Sequence, residues 1–150
     1  MITEDAAMRA ESWIKDAAEQ GAQIVTGGKR RGTFVEPTVI TNATPDMKIV
    51  CQEVFAPIVA VLPFETEEEV ISYANDSDYG VHAGVFTKDI ERAFRLADAL
   101  ETGGVWINEV SVRRYDHIPY GGVKQSGIGK EGVKYAMEDM TDIKFIGIKL

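Results

Sequence analysis

The first third of the chain has a pattern of apolar positions that predicts one helix followed by short strands. Between residues 3 and 20 the apolar residues recur every three or four positions, as on one face of a helix: Ala6, Ala10, Trp13, Ile14 and Ala17. Thr3 or Asp5 is the predicted N-cap, and Gly21 is the predicted end. A strand at 23–26, a solvated basic turn at 27–32 and a β-rich segment at 33–41 follow. Pro37 makes that last segment an edge or irregular strand, because proline cannot donate to a sheet.

Strands then alternate with helices from about residue 58 to residue 108. The predicted elements are a buried strand at 58–64, a helix at 65–75, a strand at 81–87, a helix at 89–101 and a strand at 103–108. This alternation predicts an α/β fold, with a layered sheet of mostly parallel strands and flanking helices.

The last third of the chain has weaker periodicity. Residues 109–130 are rich in glycine and are predicted to form a long loop, which in a compact domain is often functional. A short helix is expected at 131–139. Residues 141–150 have apolar positions on both faces and are predicted to form a terminal strand that needs a cover or a partner.

Composition narrows the class of protein. A chain of 150 residues with a net charge of −8 suits one acidic domain, which argues against a nucleic-acid or anionic-membrane partner. No apolar run reaches the roughly 18 residues of a membrane span. A single cysteine excludes an internal disulfide framework, so a cytoplasmic protein is expected.

Three patterns look like functional motifs but lack the neighbouring residues or elements that the function requires. Residues 127–132 match GxGxxG, but no predicted strand leads into them, and the residues up to Leu150 leave no room for a βαβ unit. The neighbours of Cys51 supply no positive charge to activate a thiolate, so we expect a structural cysteine. His82 and His117 lack metal-ligand spacing, so we expect each to be a packing or surface residue and expect no metal site.

Five segments of the chain resemble, in order, the stretches of one enzyme superfamily. They are GTFVEPTV at 32–39, QEVFAP at 52–57, NDSDYGV at 75–81, GVWIN at 104–108 and PYGGVKQSGIG at 119–129. Together they resemble the C-terminal part of an aldehyde dehydrogenase. The stretch 108–122 most resembles the branch of lactaldehyde and non-phosphorylating glyceraldehyde-3-phosphate dehydrogenases.

The resemblance implies a cofactor role for two residues of the second segment. In the family, the glutamate at the position of Glu53 binds the ribose hydroxyls, and the phenylalanine at the position of Phe55 helps to hold the nicotinamide of NAD or NADP. The alternative for Glu53 is a solvated loop acid. Ala56 departs from the usual glycine, which is tolerable unless the backbone requires a positive φ.

The resemblance also implies a substrate-pocket wall. Tyr120 stands where an aromatic residue closes the aldehyde site, and Arg113 and Arg114 lie in the same wall. A guanidinium fork suits a carboxylate or phosphate, so a small anionic or hydroxylated aldehyde is the expected substrate of the parent enzyme. Core packing for Tyr120 and a surface position for the arginines are the alternatives.

The family's nucleophilic cysteine, general base, oxyanion asparagine and nucleotide-binding domain all lie upstream of the matched stretches. We therefore expect no catalytic residue in this chain, no turnover by the chain alone and no cofactor bound by it alone. The resemblance implies a partial catalytic domain over 1–140 and an oligomerisation strand over 141–150, and hence a homo-oligomer. A non-catalytic assembly module derived from such an enzyme is the alternative function.

Overall fold

Helix α1 (Glu4–Glu19) forms over the segment whose apolar spacing predicts it. In the computed structural model, residues 1–150 are described as two units, Met1–Thr66 and Glu67–Leu150, and α1 opens the first. Thr3, and not Asp5, is the N-cap, because its hydroxyl accepts a hydrogen bond from the amide of Ala6 at 3.2 Å. The buried face consists of Ala7, Ala10, Ile14 and Ala17.

Strand order in the first unit differs from the prediction. The remaining elements are β1 (Gln23–Thr26), β2 (Arg30–Arg31), β3 (Phe34–Val35), β4 (Thr38–Thr41), α2 (Lys48–Cys51) and β5 (Ile58–Val61). β2 and β3 form an antiparallel pair, and the other strands form a sheet in the order β1-β4-β5. The segment 33–41 is interrupted at Pro37, in agreement with the predicted irregular strand, whereas the alternative of an edge strand is wrong, because β4 is the central strand of that sheet. Pro37 precedes β4, so its missing N–H lies outside the strand, and the amide of Thr38 donates to the carbonyl of Pro57 at 2.9 Å.

Strand β5 lies at an edge of this sheet and is half-exposed, so the predicted buried strand at 58–64 is wrong in extent and in burial. Val59 is 58% exposed and Val61 is 46% exposed. Ile58 and Ala60 point the other way and pack against the core. That core consists of Ile14, Ala17, Ala22, Ile40, Ala43, Met47 and Ile49.

Arg30 is half-buried, unlike the solvated cation predicted for the turn at 27–32. Its Nε donates to Oε2 of Glu11 at 2.7 Å, and its Nη1 lies 3.4 Å from Oε1 of Glu4. The hydrogen bond from Arg30, followed by one from Lys15, lowers the pKa of the Glu11 carboxyl. The cation therefore fastens the β2–β3 pair to α1.

The second unit follows the predicted alternation of helices and strands. Its elements are α3 (Glu67–Asn75), β6 (Tyr79–Gly80), β7 (His82–Val85), α4 (Ile90–Ala99), β8 (Gly104–Ile107), β9 (Val123–Lys124) and α5 (Val133–Asp139). Asp89 caps α4, because its carboxylate accepts the amides of Glu91 at 2.9 Å and Arg92 at 3.1 Å. No helix in either unit combines the length and the apolar character needed to cross a membrane.

The fold class is α/β, as predicted, but the prediction of mostly parallel strands is wrong. Only β4–β5 and β7–β8 are parallel; β1–β4, β2–β3 and β6–β9 are antiparallel. Parallel neighbours need a crossover between them, and α2 and α4 lie on the two connections that provide one.

Residues 141–150 do not form the predicted strand within the chain. Ile143 and Phe145 in this segment are 100% and 91% exposed. A strand exists only where its N–H and C=O groups find a partner, and no other segment of the chain pairs with this one. Pairing with a second subunit stays a prediction.

Asn75, the first residue of the matched segment 75–81, joins the C-terminal ends of α3 and α4. Its Nδ2 donates to the carbonyl of Ala99 at 2.8 Å, and its Oδ1 accepts from the amide of Glu101 at 2.9 Å. Lys124 on β9 donates to the carbonyl of Asn75 at 2.7 Å. One amide side chain therefore satisfies two backbone groups at the ends of helices, where such groups lack partners.

Glu67 fastens the beginning of α3 to α4. Its carboxylate lies 2.8 Å from Nε of Arg95 and 3.1 Å from Nε of Arg92. The hydrogen bond from Arg95 is the largest cause that lowers the pKa of the Glu67 carboxyl, and Arg92 adds to it. The contact therefore favours the ionised carboxylate in the folded chain.

We expect Glu67→Gln to lower the Tm at neutral pH by an amount that shrinks in acid. Because the folded-state pKa lies below the ordinary 4.5, the stabilisation is present above that pH and is lost as the pH falls through the lowered pKa. Thermal unfolding followed by circular dichroism from about pH 7 to about pH 3 measures the difference. Glu68→Gln, at the exposed neighbouring position, is the control. A difference between wild type and Glu67→Gln that stays constant over this range would contradict the assignment.

Candidate functional site

A cavity of about 260 Å³ lies in the second unit, beside β7 and β8. Its lining comes from residues 103–106 at and before β8, from residues 113–115 and 118–120 of the following loop, and from His82 on β7. The structure thus brings together the three residues predicted for the substrate pocket, Arg113, Arg114 and Tyr120. Their role stays a prediction.

The loop approaches the strands closely because glycines leave room where they meet. A Cβ on Gly103 would collide with the carbonyl oxygen of Gly121. A Cβ on Gly104 would lie 2.8 Å from the ring of His82, which is closer than carbon atoms pack. These two glycines therefore set the distance between the floor of the cavity and its wall.

The ring of Tyr120 is held by contacts on its edge and on its face. The His82 ring meets it edge-on, with centroids 4.9 Å apart and planes at 88°. The Arg114 guanidinium carbon lies over the ring, 4.6 Å from the centroid. Nδ1 of His82 lies 3.1 Å from the carbonyl oxygen of Ser111, which also connects the start of the loop to β7.

Both arginines of the cavity have a carboxylate partner. Arg113 Nε donates to Oε2 of Glu109 at 3.1 Å, and Arg114 Nη2 donates to Oε2 of Glu131 at 2.5 Å. The side chains of Arg113 and Arg114 remain 55% and 51% exposed. A guanidinium has five N–H donors, so each arginine retains donors for an anionic ligand.

Two aromatic residues that line the cavity, Trp106 and Tyr115, lie side by side, and His117 lies next to Tyr115 outside the lining. Trp106 and Tyr115 have ring centroids 5.9 Å apart, and Tyr115 and His117 have centroids 5.8 Å apart. These rings offer apolar surface next to the guanidinium groups. The cavity therefore combines a surface for a short carbon chain with donors for a charged or hydroxylated end.

Glu53 and Phe55, the residues predicted to contact the cofactor, lie in the first unit, on the connection between α2 and β5. Glu53 is exposed, and Phe55 is 74% exposed. The left-handed residue of this connection is Phe55, with φ 44°, and not Ala56. Ala56 packs against the buried cluster of Ala7, Ala10 and Val35. An alanine in place of the family's glycine is therefore accommodated without backbone strain.

Cys51 is exposed at the last position of α2. Its Sγ lies 3.7 Å from the carbonyl oxygen of Asp46. The nearby Lys48 ammonium is paired with Asp16 at 3.3 Å. The contact of the thiol is therefore a backbone carbonyl and not a base, and the structural role expected for Cys51 stays a prediction.

The glycine-rich stretch 127–132 lies between β9 and α5, so the prediction that no strand leads into it is wrong. β9 has only two residues and pairs antiparallel with β6, whereas a dinucleotide-binding loop follows a strand of a parallel βαβ unit. No group of three or more metal-binding side chains comes together in the chain.

Two residues that shape the cavity were not predicted from the sequence to do so. His82 was expected to be a packing or surface residue, and Glu131 only the start of a helix. Both residues contact Tyr120. The backbones of Tyr120 and Glu131 form an isolated β-bridge with two hydrogen bonds, at 3.1 and 2.6 Å. Contacts between residues so far apart in the chain leave no periodic signal in the sequence.

Comparisons with known proteins agree on one family. The model of the aldehyde dehydrogenase family matches residues 1–146. The 3-sulfolactaldehyde dehydrogenase of Priestia aryabhattai is 51% identical over 150 residues, covering 100% of this chain and 31% of that protein. The lactaldehyde dehydrogenase of Methanococcus maripaludis is 41% identical over 148 residues, covering 99% of this chain and 32% of that protein. The crystal structure of a glyceraldehyde-3-phosphate dehydrogenase from Methanocaldococcus jannaschii with NADP superposes with a TM-score of 0.89 at 41% identity, covering 96% of this chain and 31% of that chain.

The chain thus spans about a third of the length of these relatives. The family match over residues 1–146 confirms the resemblance inferred from the five segments. The chain belongs to the aldehyde dehydrogenase family.

Proposed function

We propose that this chain supplies one wall of the substrate site of an aldehyde dehydrogenase whose substrate is a small aldehyde with an anionic or hydroxyl group. The observation that carries the proposal is the cavity in which Arg113 and Arg114 lie beside the ring of Tyr120. A guanidinium offers a planar fork of donors to a carboxylate, sulfonate or phosphate. The aromatic ring offers a surface that excludes water from the carbon chain.

The relatives support this substrate class. Two of them take their names from aldehydes with an acidic group, sulfolactaldehyde and glyceraldehyde-3-phosphate, and the third from lactaldehyde, which has a hydroxyl group. The shared chemistry is a short aldehyde with a polar group near the carbonyl. Charge and hydrogen-bonding capacity at Arg113 suit each of these groups.

Glu53 and Phe55 are the proposed contacts to the nicotinamide nucleotide, NAD or NADP, in the parent enzyme. An exposed carboxylate can accept both hydroxyls of a ribose, and such charge-assisted bonds are strong. Phe55 presents its ring to solvent from a left-handed backbone position, so the ring is available to pack against a planar group. The bound nucleotide would accept hydride from the substrate. A relative crystallised with NADP supports this class of cofactor.

In this proposal the residues of the chain bind and orient, and none of them attacks the aldehyde. Arg113 holds the polar end of the substrate, Tyr120 closes the site beside it, and Glu53 and Phe55 orient the cofactor. We propose no catalytic role for Cys51, because it lies at the end of α2 beside a backbone carbonyl and not beside a base. A cytoplasmic location stays a prediction.

We expect the 150 residues alone to produce no reduced cofactor from an aldehyde. The test mixes the purified chain with lactaldehyde or glyceraldehyde-3-phosphate, together with NAD⁺ or NADP⁺, and follows absorbance of the reduced nicotinamide. Cys51→Ser is the matched variant. Turnover that survives this substitution would require a mechanism other than attack by a cysteine, and turnover that is lost with it would overturn our view of Cys51.

We expect Arg113→Gln to weaken the binding of inorganic phosphate and lactate by about tenfold, because it removes a charge-assisted hydrogen-bond donor from the cavity. Titration of the chain followed by NMR measures the affinity at neutral pH. Arg31→Gln, at an exposed position in the first unit, changes the net charge equally and should leave the affinity unchanged. Equal weakening by both substitutions would reduce the effect to net charge and remove the support for an anion site.

We propose in addition that residues 141–150 pair as a strand with a second copy of the chain, which makes the protein a homo-oligomer. Ile143, Phe145, Ile146 and Ile148 are each at least 72% exposed in the single chain. A run of exposed apolar residues and unpaired backbone groups favours burial against a partner. Family membership favours part of an enzyme over a free-standing assembly module, so this pairing is proposed as a property of the enzyme.

We expect deletion of 141–150 to convert an oligomer into a monomer, as measured by light scattering at several protein concentrations. Phe145→Asp in the full chain should act in the same direction, because it places a charge on the apolar segment. A full chain that is monomeric at every concentration would count against the proposal. An oligomer that persists after the deletion would place the interface elsewhere.

A further inference from the structure

We infer that Arg114 and Glu131 are positioning residues that hold the Tyr120 ring, and that anion recognition in the cavity belongs to Arg113. The inference rests on the proposed function, in which Tyr120 closes the aldehyde site. The two arginines are adjacent in the sequence, but each has a different role.

Arg114, Glu131 and Tyr120 form a closed set of contacts. The guanidinium of Arg114 lies over the Tyr120 ring at 4.6 Å and donates to the Glu131 carboxylate at 2.5 Å. Glu131 in turn exchanges both backbone hydrogen bonds with Tyr120, at 3.1 and 2.6 Å. The backbone of Tyr120 thus fixes Glu131, Glu131 fixes Arg114, and Arg114 covers the ring of Tyr120. Each of the three residues therefore contacts the other two.

His82 completes the restraint from a different direction. Its ring meets the Tyr120 ring edge-on at 4.9 Å, whereas Arg114 covers a face. The space for the His82 ring exists because Gly104 has no side chain. A ring held at its edge and on its face has a defined orientation in the wall of the cavity.

Arg113 does not belong to this closed set of contacts. Only its Nε donates within the chain, to Glu109 four residues earlier, at 3.1 Å. Both arginine–glutamate pairs are exposed and are weak by themselves, so the difference between the two arginines lies in the other contact that each makes. The Arg113 guanidinium lies 5.9 Å from the Tyr115 ring, farther than Arg114 lies from Tyr120. Its terminal nitrogens therefore remain available to a carboxylate, sulfonate or phosphate.

The experiment measures ring orientation and anion affinity separately on the full chain. Tyrosine rings are labelled with ¹³C, the Tyr120 signals are assigned with Tyr120→Phe, and inorganic phosphate and lactate are titrated by NMR. The variants are Arg113→Gln, Arg114→Gln, Arg114→Lys and the isosteric Glu131→Gln. Thermal unfolding of each variant establishes that it is folded.

We expect Arg114→Gln and Glu131→Gln to shift the Tyr120 ring signals and to change phosphate affinity by less than about twofold. Arg113→Gln should leave the Tyr120 signals in place and weaken phosphate binding by about tenfold. Arg114→Lys should restore part of the Tyr120 shift, because it keeps a cation over the ring but lacks the planar fork. Lactate and phosphate use the same donors, so the ratio of their affinities shows whether the site prefers a carboxylate or a phosphate.

Loss of phosphate binding in Arg114→Gln with unmoved Tyr120 signals would overturn the inference, because Arg114 would then be the ligand-binding group. Unchanged Tyr120 signals in both Arg114→Gln and Glu131→Gln would overturn the positioning role. If the wild-type chain binds neither anion, the role of Arg113 and the proposed substrate class fail together. In that case the Tyr120 signals still decide whether Arg114 and Glu131 position the ring.

Discussion

The candidate site depends on a steric constraint, which is the close approach of the loop after β8 to strands β7 and β8. Gly103 lies where the carbonyl of Gly121 passes, and Gly104 lies where the ring of His82 packs. A methyl group at either position would force the loop or the ring away. Because Tyr120 directly precedes Gly121, a displaced loop would carry the aromatic wall of the cavity with it. Small residues therefore set the position of the wall, and the larger residues beside them supply its chemistry.

Charge in this acidic chain is organised as local pairs. Arg30 lies against Glu11, Arg95 against Glu67, and Arg114 against Glu131, at 2.7, 2.8 and 2.5 Å. Exposed pairs add little to stability one by one, but each fixes the direction of a long side chain. The arginines of the cavity therefore offer directed donors more than a net positive field. An anionic ligand would be selected by the geometry of those donors, while the net charge of −8 repels anions at long range.

Elements with a local signal in the sequence form where that signal predicts them, whereas the arrangement of distant segments has no such signal. Helices α1 and α4 depend on contacts between residues a few positions apart, and both helices form where expected. The central position of β4 and the edge position of β5 depend on which strands become neighbours, which no pattern within a strand records. Arg113 and Tyr120 were found through motif resemblance, whereas the contacts of His82 and Glu131 with Tyr120 appear only in the folded chain.

Side chains that bind a ligand can be oriented in the absence of the side chains that react with it, because packing within the chain orients them. Ala56 seats the connection that carries Glu53 and Phe55 on the buried cluster of the first unit. The β7–β8 pair and its glycines seat the wall that carries Tyr120 in the second unit. Each contribution is fixed by contacts within its own unit. Attack on an aldehyde, in contrast, needs one activated side chain in a specific electrostatic setting, and the packing that orients a wall does not create that setting. In the proposed function, the segment therefore preserves the shape and donors of a site while other residues supply the chemistry.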